Sequence, residues 1–239
     1  MQLGKLISIA SNRSITPQVT VVIVSFNTRE LLREWLTGAQ DACVTSSFQA
    51  EDVVVLHMAR KFLPGVPVIF LETGYHFPET LVYRDRMTAE WGLNLINVAA
   101  EQSVASQEAE FGILNQTAPD RCCAMRKVGP LFRALEGYRV WATGLRRQQS
   151  KSRANLQLKE TFALPSGHTL EKLNPLAEWT TREVWEYAAA HEIPLLPLYD
   201  LGYSSIGCAP CTSLPTDPND PRSGRWSGQK LECGIHVQR

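Results

Sequence analysis

ACVTSSFQAEDVVVLHMARKFLPGVPVIFLE, residues 42–72, contains the pattern of a complete βαβ unit. Two short segments rich in branched apolar residues, Ala42–Ser46 and Val66–Glu72, predict strands. Between them, apolar residues recur at three- and four-residue spacing over Asp52–Phe62, which predicts a helix. Strands joined in this way are parallel. The segment therefore predicts an α/β fold: an open, mainly parallel, Rossmann-like sheet with helices on both faces.

The same alternation continues on both sides of this unit. Further strands are predicted at Val19–Ser25, Leu93–Val98 and Tyr138–Thr143. Further helices are predicted at Pro78–Trp91, Asp120–Leu135 and, after a capping box from Thr180 to Glu183, at Thr181–His191. The chain divides accordingly into a lead-in (1–40), a core domain (41–213) and a mobile tail (214–239) that begins with a stretch rich in proline and glycine.

Composition limits the classes of function. The 239 residues, 44% of them apolar, suffice for one large core, and 24 basic residues balance 24 acidic ones. Without a net charge, neither nucleic acid nor an anionic membrane is an expected partner. No apolar run of about 18 residues and no signal-peptide pattern is evident, which predicts a cytoplasmic protein. Thiols persist in that compartment, so clustered cysteines indicate metal ligands or catalysts.

Ligands of open α/β sheets bind beyond the carboxyl ends of the strands, and three loops predicted there carry polar groups. The candidate substrate-binding residues are Ser46, Ser47 and Phe48, then Glu72, Thr73 and Gly74, then Arg146 and Arg147. Helix-start N–H groups can hold an anion, and guanidinium forks match phosphate or sulfate. Each loop also has an ordinary interpretation: a serine N-cap, a plain strand-to-helix loop, and a solvated basic turn.

Four cysteines have the spacing of a metal site. The adjacent pair Cys122 and Cys123 and the pair Cys208-x-x-Cys211 supply thiolates that suit zinc or an iron–sulfur cluster. Adjacent cysteines fit a tetrahedral zinc knuckle poorly, whereas a cuboidal cluster accepts them on different irons, so the spacing favours a cluster. Cys43 lies inside a predicted strand and is interpreted as a core residue.

A further cysteine, Cys233, lies near the end of the tail. A nucleophilic thiol needs access and a nearby positive or basic group, which His236, Arg222 or Arg225 can supply. A lone tail cysteine is more often incidental, and these neighbours argue for the reactive interpretation.

Six motifs follow in order along the chain. They are Cys122-Cys123-x-x-Arg126-Lys127, Gly144-Leu145-Arg146-Arg147-x-Gln149-Ser150, Lys172-Leu173-Asn174-Pro175-Leu176, Gly202-Tyr203-Ser204-Ser205-Ile206-Gly207-Cys208-x-x-Cys211-Thr212, Arg222-x-Gly224-Arg225-Trp226 and Glu232-Cys233-Gly234-Ile235-His236. Together they resemble the assimilatory adenylyl-sulfate reductases, which belong with the phosphoadenylyl-sulfate reductases. The resemblance runs from about Ala42 onward, and residues 1–40 match poorly.

The resemblance implies an adenine-nucleotide α-hydrolase-like sheet and one [4Fe–4S] cluster per subunit on Cys122, Cys123, Cys208 and Cys211. It implies catalytic roles for Cys233, Lys127 and His236, with Arg146, Arg222 and Arg225 neutralising phosphate and sulfate. The implied reaction belongs to sulfate assimilation and cysteine biosynthesis. Adenosine 5′-phosphosulfate yields AMP and a cysteine S-sulfonate, from which thioredoxin or glutaredoxin releases sulfite. A homo-oligomer is compatible with it.

Three alternatives stay open at this point. The first is a phosphoadenylyl-sulfate reductase, which uses the 3′-phosphorylated nucleotide. The resemblance favours the unphosphorylated substrate, because family members with the four cysteines are generally of the adenylyl-sulfate type. The second is a glycosyltransferase, suggested by Val19–Thr28, although the chain holds no Asp-x-Asp metal triplet. The third is a non-catalytic metal module, which would have no use for Cys233.

Overall fold

The structure is a computed structural model that describes residues 28–35, 41–228, 230 and 232–236. The predicted strand Val19–Ser25 lies outside these residues. Within them, no helix combines the length and the apolar character needed to cross a bilayer.

The described residues form one six-stranded sheet. Its strands are β1 (Ala42–Thr45), β2 (Pro67–Glu72), β3 (Asn94–Ala99), β4 (Val140–Ala142), β5 (Lys159–Ala163) and β6 (Thr169–Leu173), in the spatial order β3-β2-β1-β4-β6-β5. All neighbours are parallel except β5 and β6. The predicted mainly parallel sheet is confirmed, with strand bounds close to those expected.

The hairpin of β5 and β6 was not predicted from the sequence. Each strand carries charged residues on an exposed face, and Phe162 and Leu170 are among the few buried side chains. This weak apolar pattern gives little strand signal. The turn between them includes Gly167 at φ +92°, a left-handed conformation that glycine adopts without steric cost.

The α-helices lie before β1, between successive strands from β1 to β4, and after β6. They are α1 (residues 28–35), α2 (Ala50–Phe62), α3 (Pro78–Trp91), α4 (Val104–Phe111), α5 (Leu114–Thr117), α6 (Pro119–Cys123), α7 (Gly129–Leu135) and α8 (Thr181–Ala190). The helix predicted at Asp120–Leu135 is interrupted by a π-helical turn, Ala124–Val128. The predicted capping box of α8 is present: the Thr180 hydroxyl accepts a hydrogen bond from the Glu183 N–H, 3.2 Å away.

The core lies on both faces of the sheet, because successive strand residues point to opposite sides. On one face Val44 and Phe70 pack with apolar residues of α2 and α8. On the other face Cys43 and Ile69 pack with residues of α7 such as Leu131. Helices on both faces, and a buried Cys43, are therefore confirmed.

Candidate active site

A cavity of about 440 Å³ opens beyond the carboxyl ends of the parallel strands. Ser46 after β1, Thr73 after β2 and Gly144 after β4 line it, because parallel strands end at the same edge of the sheet. Cys233 and His236 of the tail line it as well. The fold therefore brings the predicted strand-end loops and the tail thiol to one place.

The loop after β1 is held together by its own side chains. The Asp52 carboxylate accepts hydrogen bonds from the Ser47 backbone N–H at 2.6 Å and from the Ser47 hydroxyl at 2.7 Å. Ser46 Oγ accepts one from the Phe48 N–H at 3.0 Å. Burial raises the pKa of Asp52 to about 6, although the hydrogen bonds from Ser47 oppose this shift. With Glu51, two carboxylates line the cavity at the start of α2.

Arg146 lines the cavity but is engaged inside the protein. Its Nη2 and Nε donate to Glu51 Oε1 at 2.6 and 3.0 Å, and its Nη1 donates to the Trp179 carbonyl at 3.2 Å. The side chain is only 4% exposed. Its guanidinium therefore ties the loop after β4 to the start of α2 and neutralises Glu51.

Four of the predicted substrate-binding residues do not line the cavity: Phe48, Glu72, Gly74 and Arg147. The Phe48 ring is fully buried against Phe70, and Glu72 forms an ion pair with Arg84 at 3.3 Å and accepts a hydrogen bond from the Gly74 N–H at 2.9 Å. Arg147 pairs with Glu178 at 3.0 Å. Residues next to each other in these loops therefore differ in whether they line the cavity, because successive loop side chains point in different directions.

Four cysteines, which we call the cysteine cage, line a second, small void: Cys122, Cys123, Cys208 and Cys211. The first two end α6, where the π-helical turn begins, and such turns recur at functional sites. Cys208 caps the start of a 3-10 turn and Cys211 ends it, and the Cys211 N–H donates to the Cys208 carbonyl at 2.9 Å. Two distant segments of the chain therefore supply two thiols each.

Burial and mutual repulsion act on the thiols of the cage. Burial, and then the charges of Cys123, Cys208 and Cys211, raise the pKa of Cys122 to about 11. Burial also acts to raise the pKa of Cys208, but the positive charge of Lys127 and other favourable contacts lower it overall. Among the described residues, no group of three or more His, Cys, Asp or Glu side chains takes the arrangement of a single metal-ion site.

Lys127 lies between the cage and the main cavity, because it lines both. It hydrogen-bonds to the Cys208 sulfur. Burial acts to lower the pKa of Lys127, but the charges of Cys208, Cys233 and Cys123 outweigh burial and raise it. A firmly protonated ammonium group therefore faces both the cage thiols and the tail thiol.

The tail segment 232–236 lies against the cavity. His236 stacks on Trp141 with ring centroids 5.4 Å apart and an angle of 19° between the rings. Burial, and then the positive charges of Lys172, Arg153 and Arg222, hold the pKa of His236 well below its usual range. The imidazole is therefore neutral at physiological pH, which suits packing better than proton donation.

Several residues that line the cavity carry no prediction from the sequence. They include Gln148, Arg153, Trp226 and Glu232. Arg153 follows the basic stretch after β4, yet no local pattern shows that it meets a carboxylate 79 residues away. The predicted residues Arg222 and Arg225 line the same cavity as Cys233. The division of the chain at residues 40 and 213 stays a prediction.

The chain is similar to known proteins along most of its length. A family model described as the phosphoadenosine phosphosulfate reductase domain matches residues 41–214. Adenosine 5′-phosphosulfate reductase of Rhodococcus opacus is 47% identical over 203 residues, which cover 84% of this chain and 81% of that protein. The family match includes the cage and the strand-end loops, and it ends before Cys233.

Solved structures give the same result for the fold. The crystal structure of phosphoadenylyl-sulfate reductase from Candida auris, a phosphate complex, has a TM-score of 0.68 and 27% identity, covering 82% of this chain and 97% of that one. FMN adenylyltransferase of Candida glabrata shares the fold alone, with a TM-score of 0.60 at 13% identity, covering 87% of this chain and 66% of that one. The adenine-nucleotide α-hydrolase-like sheet is therefore confirmed.

Proposed function

Since this chain belongs to the phosphoadenosine phosphosulfate reductase family, we propose that it reduces adenosine 5′-phosphosulfate to sulfite and AMP. It is an oxidoreductase that acts on sulfur, and this reaction belongs to sulfate assimilation and cysteine biosynthesis. One observation carries the proposal: Cys233 lines the same cavity as Lys127, Arg222 and Arg225. A thiol and several cations at the ends of parallel strands suit a nucleotide whose reactive end is an anionic sulfate.

In the first step, the Cys233 thiolate attacks the sulfur of the bound nucleotide. A bond forms between the two sulfur atoms, and the bond between sulfur and the phosphate oxygen breaks. AMP leaves with that electron pair, and the enzyme keeps a cysteine S-sulfonate. Lys127, Arg222 and Arg225 stabilise the negative charge that develops on the leaving phosphate. The neutral, stacked His236 orients the tail in this step.

In the second step, a reductant thiolate attacks Cys233 Sγ. Sulfite leaves with the electron pair of the sulfur–sulfur bond, and a mixed disulfide forms. The second thiol of the reductant resolves this disulfide and restores Cys233. Thioredoxin, or glutaredoxin, supplies both electrons, and the cytoplasm keeps such dithiols reduced.

The cysteine cage fits one [4Fe–4S] cluster per subunit. Three of its four thiols are buried and Cys211 is half-buried, and burial and mutual repulsion raise the pKa of Cys122, a cost that a cationic iron centre offsets. When bound, the cluster supplies charge and a fixed framework, because the reductant already supplies both electrons. Lys127 donates to Cys208 and keeps its positive charge beside the cavity.

The unphosphorylated nucleotide is the proposed substrate. The Rhodococcus opacus relative is named for adenosine 5′-phosphosulfate. The carboxylate of Asp52 lines the cavity and opposes a further negative charge such as a 3′-phosphate, whereas the charge of Glu51 is already neutralised by Arg146. Because the chain belongs to the reductase family, we do not propose a glycosyltransferase or a non-catalytic metal module as its function.

Mass spectrometry of the intact enzyme tests the proposal. The iron-loaded protein is mixed with adenosine 5′-phosphosulfate without any reductant, and peptides are then mapped. We expect one sulfonate on Cys233 for each AMP released, and no adduct on Cys233→Ser or with 5′-AMP alone. Release of AMP without an adduct, or an adduct on another residue, would contradict the mechanism. The 3′-phosphorylated nucleotide, tested in parallel, should react more slowly.

A further inference from the structure

We propose that Glu232 is a positioning residue whose carboxylate, bound by Arg153, holds Cys233 against the cavity. This inference rests on the proposed function, because it assumes that Cys233 attacks a nucleotide in that cavity. We call Glu232 with its polar partners Ser150, Ser152 and Arg153 the tail latch.

Within the tail latch, the Glu232 carboxylate makes several polar contacts. Arg153 donates from Nε to Glu232 Oε1 at 2.9 Å and from Nη2 to Oε2 at 2.8 Å, a fork that fixes both carboxylate oxygens. The hydroxyls of Ser150 and Ser152 each lie 3.0 Å from Oε1. Arg222 Nη2 lies 3.6 Å from Oε2. A carboxylate next to the reactive thiol is thus saturated with donors.

Arg153 is also held by residues outside the tail. The Arg153 Nη1 also donates to Gln149 Oε1, and that oxygen accepts the Arg146 N–H at 3.0 Å. Arg153 is therefore held by the loop that follows β4, which itself joins the sheet. The Arg153 and Glu232 side chains are only 12% and 15% exposed, so solvent weakens the pair less than it weakens a surface ion pair.

Cys233 is held from its other side as well. Gly234 bends the chain at φ +90°, a conformation that suits glycine, and Ile235 packs against the core on the α7 face. His236 then stacks on Trp141. Two fixed points, Glu232 before the thiol and Ile235 with His236 after it, leave a turn of two residues whose position both ends determine.

The two ends differ in how they can be released. Apolar and stacking contacts do not depend on anions, whereas the fork of Arg153 attracts any carboxylate, phosphate or sulfate in the cavity. The thiol has to leave the cavity to meet a protein reductant, so one polar latch offers a reversible attachment. Glu232 therefore controls how often Cys233 lies in position to attack.

Glu232→Gln tests the latch, with Glu171→Gln as the matched control. Glu171 pairs with Lys159 at 2.7 Å, and the two side chains are 52% and 46% exposed, on the β5–β6 hairpin. We expect the rate of Cys233 sulfonation in a single turnover to fall about 10- to 100-fold in Glu232→Gln, because the thiol is misplaced. Thioredoxin-driven sulfite release from the preformed S-sulfonate should not slow, because the latch supports only the docked position of the thiol. Glu171→Gln should match the parent protein.

Hydrogen exchange separates this inference from the proposed function. We expect faster amide exchange at residues 232–236 in Glu232→Gln than in the parent, whether or not the protein forms a sulfonate. A double change with Arg153→Gln should be no slower in sulfonation than Arg153→Gln alone, since both act through one contact. Unchanged exchange in Glu232→Gln, or unchanged sulfonation in an active protein, would overturn the latch. If even the parent forms no sulfonate, the proposed function fails, and the exchange result alone decides the latch.

Discussion

The cysteine cage and the tail thiol use the same functional group in opposite ways. Cys122, Cys123 and Cys208 are each less than one-tenth exposed, and they lie on short helical turns joined to the sheet. Cys233 is partly exposed and lies on a turn held by the tail latch. Buried thiols that share a void suit permanent ligands, whereas an accessible thiol on a releasable turn suits a nucleophile.

Serine substitutions in the cage and at the tail thiol should have the largest effects, and each should affect a different property of the protein. Cys233→Ser is expected to lower sulfite formation by at least about 10³-fold, because it removes the nucleophile, while visible iron–sulfur absorption stays intact. Cys208→Ser is expected to lose that absorption and to unfold at a lower temperature. Anaerobic absorption spectra, iron analysis and sulfite assays measure both variants. A colourless parent protein with full activity would contradict the iron–sulfur assignment of the cage.

Lys127 faces both the cysteine cage and the cavity that holds Cys233. Lys127→Met should lower the rate of Cys233 sulfonation by about 10²- to 10³-fold, because the developing charge on the leaving phosphate loses its ammonium partner. Lys159→Met, on an outer strand, is the matched control and should keep the parent rate. Single-turnover AMP release measures the effect. An equal loss in both variants would assign Lys127 a structural role only.

The stability with which residues 232–236 pack against the cavity should depend on pH. The folded-state pKa of His236 is lowered, so its stabilising contribution is complete above the ordinary value of 6.5 and is lost as pH falls below it. We expect the protection factors of amides in 232–236 to fall by up to about tenfold per pH unit below 6.5. The neighbouring charges are Lys172, Arg153 and Arg222. His236→Phe keeps a stacked ring and should remove this dependence; an unchanged pH profile would assign it to another group.

The smallest effect is expected away from both thiol regions. Thr180→Ala removes the N-cap of α8 and should lower the unfolding free energy by about 1 kcal/mol, with a melting point about 2–4 °C lower. Thr180→Ser keeps the capping oxygen and should restore most of this loss. Thermal unfolding measures both variants. The rate of Cys233 sulfonation in both variants should agree with that of the parent protein within about twofold. A larger change would mean that α8 contributes to the site.

Local pattern predicted a large part of the fold. The helix Pro78–Trp91 has the predicted bounds, and the capping box lies at the predicted Thr180. Periodicity and capping are read from residues a few positions apart, so a single sequence contains them in full. The hairpin of β5 and β6 lacked such a signal because its exposed face is charged.

The candidate site was predicted less completely. Arg146 and Arg147 are neighbours in one motif, yet only Arg146 lines the cavity. Phe48 belongs to a strand-end loop, yet its ring lies in the core. Side-chain direction in irregular loops follows from packing against distant elements, and sequence position does not encode it.

Composition, apolar spacing and ordered motifs thus indicate the fold class, the family and the division of the six cysteines into a cage of four, one tail thiol and the buried Cys43. They do so because each depends on residue type and short separations. The pairing of Glu232 with Arg153, the placement of Lys127 between two thiol regions and the stacking of His236 on Trp141 exist only in the folded chain. These contacts join residues far apart in sequence, and only the packed sheet with its loops brings them together.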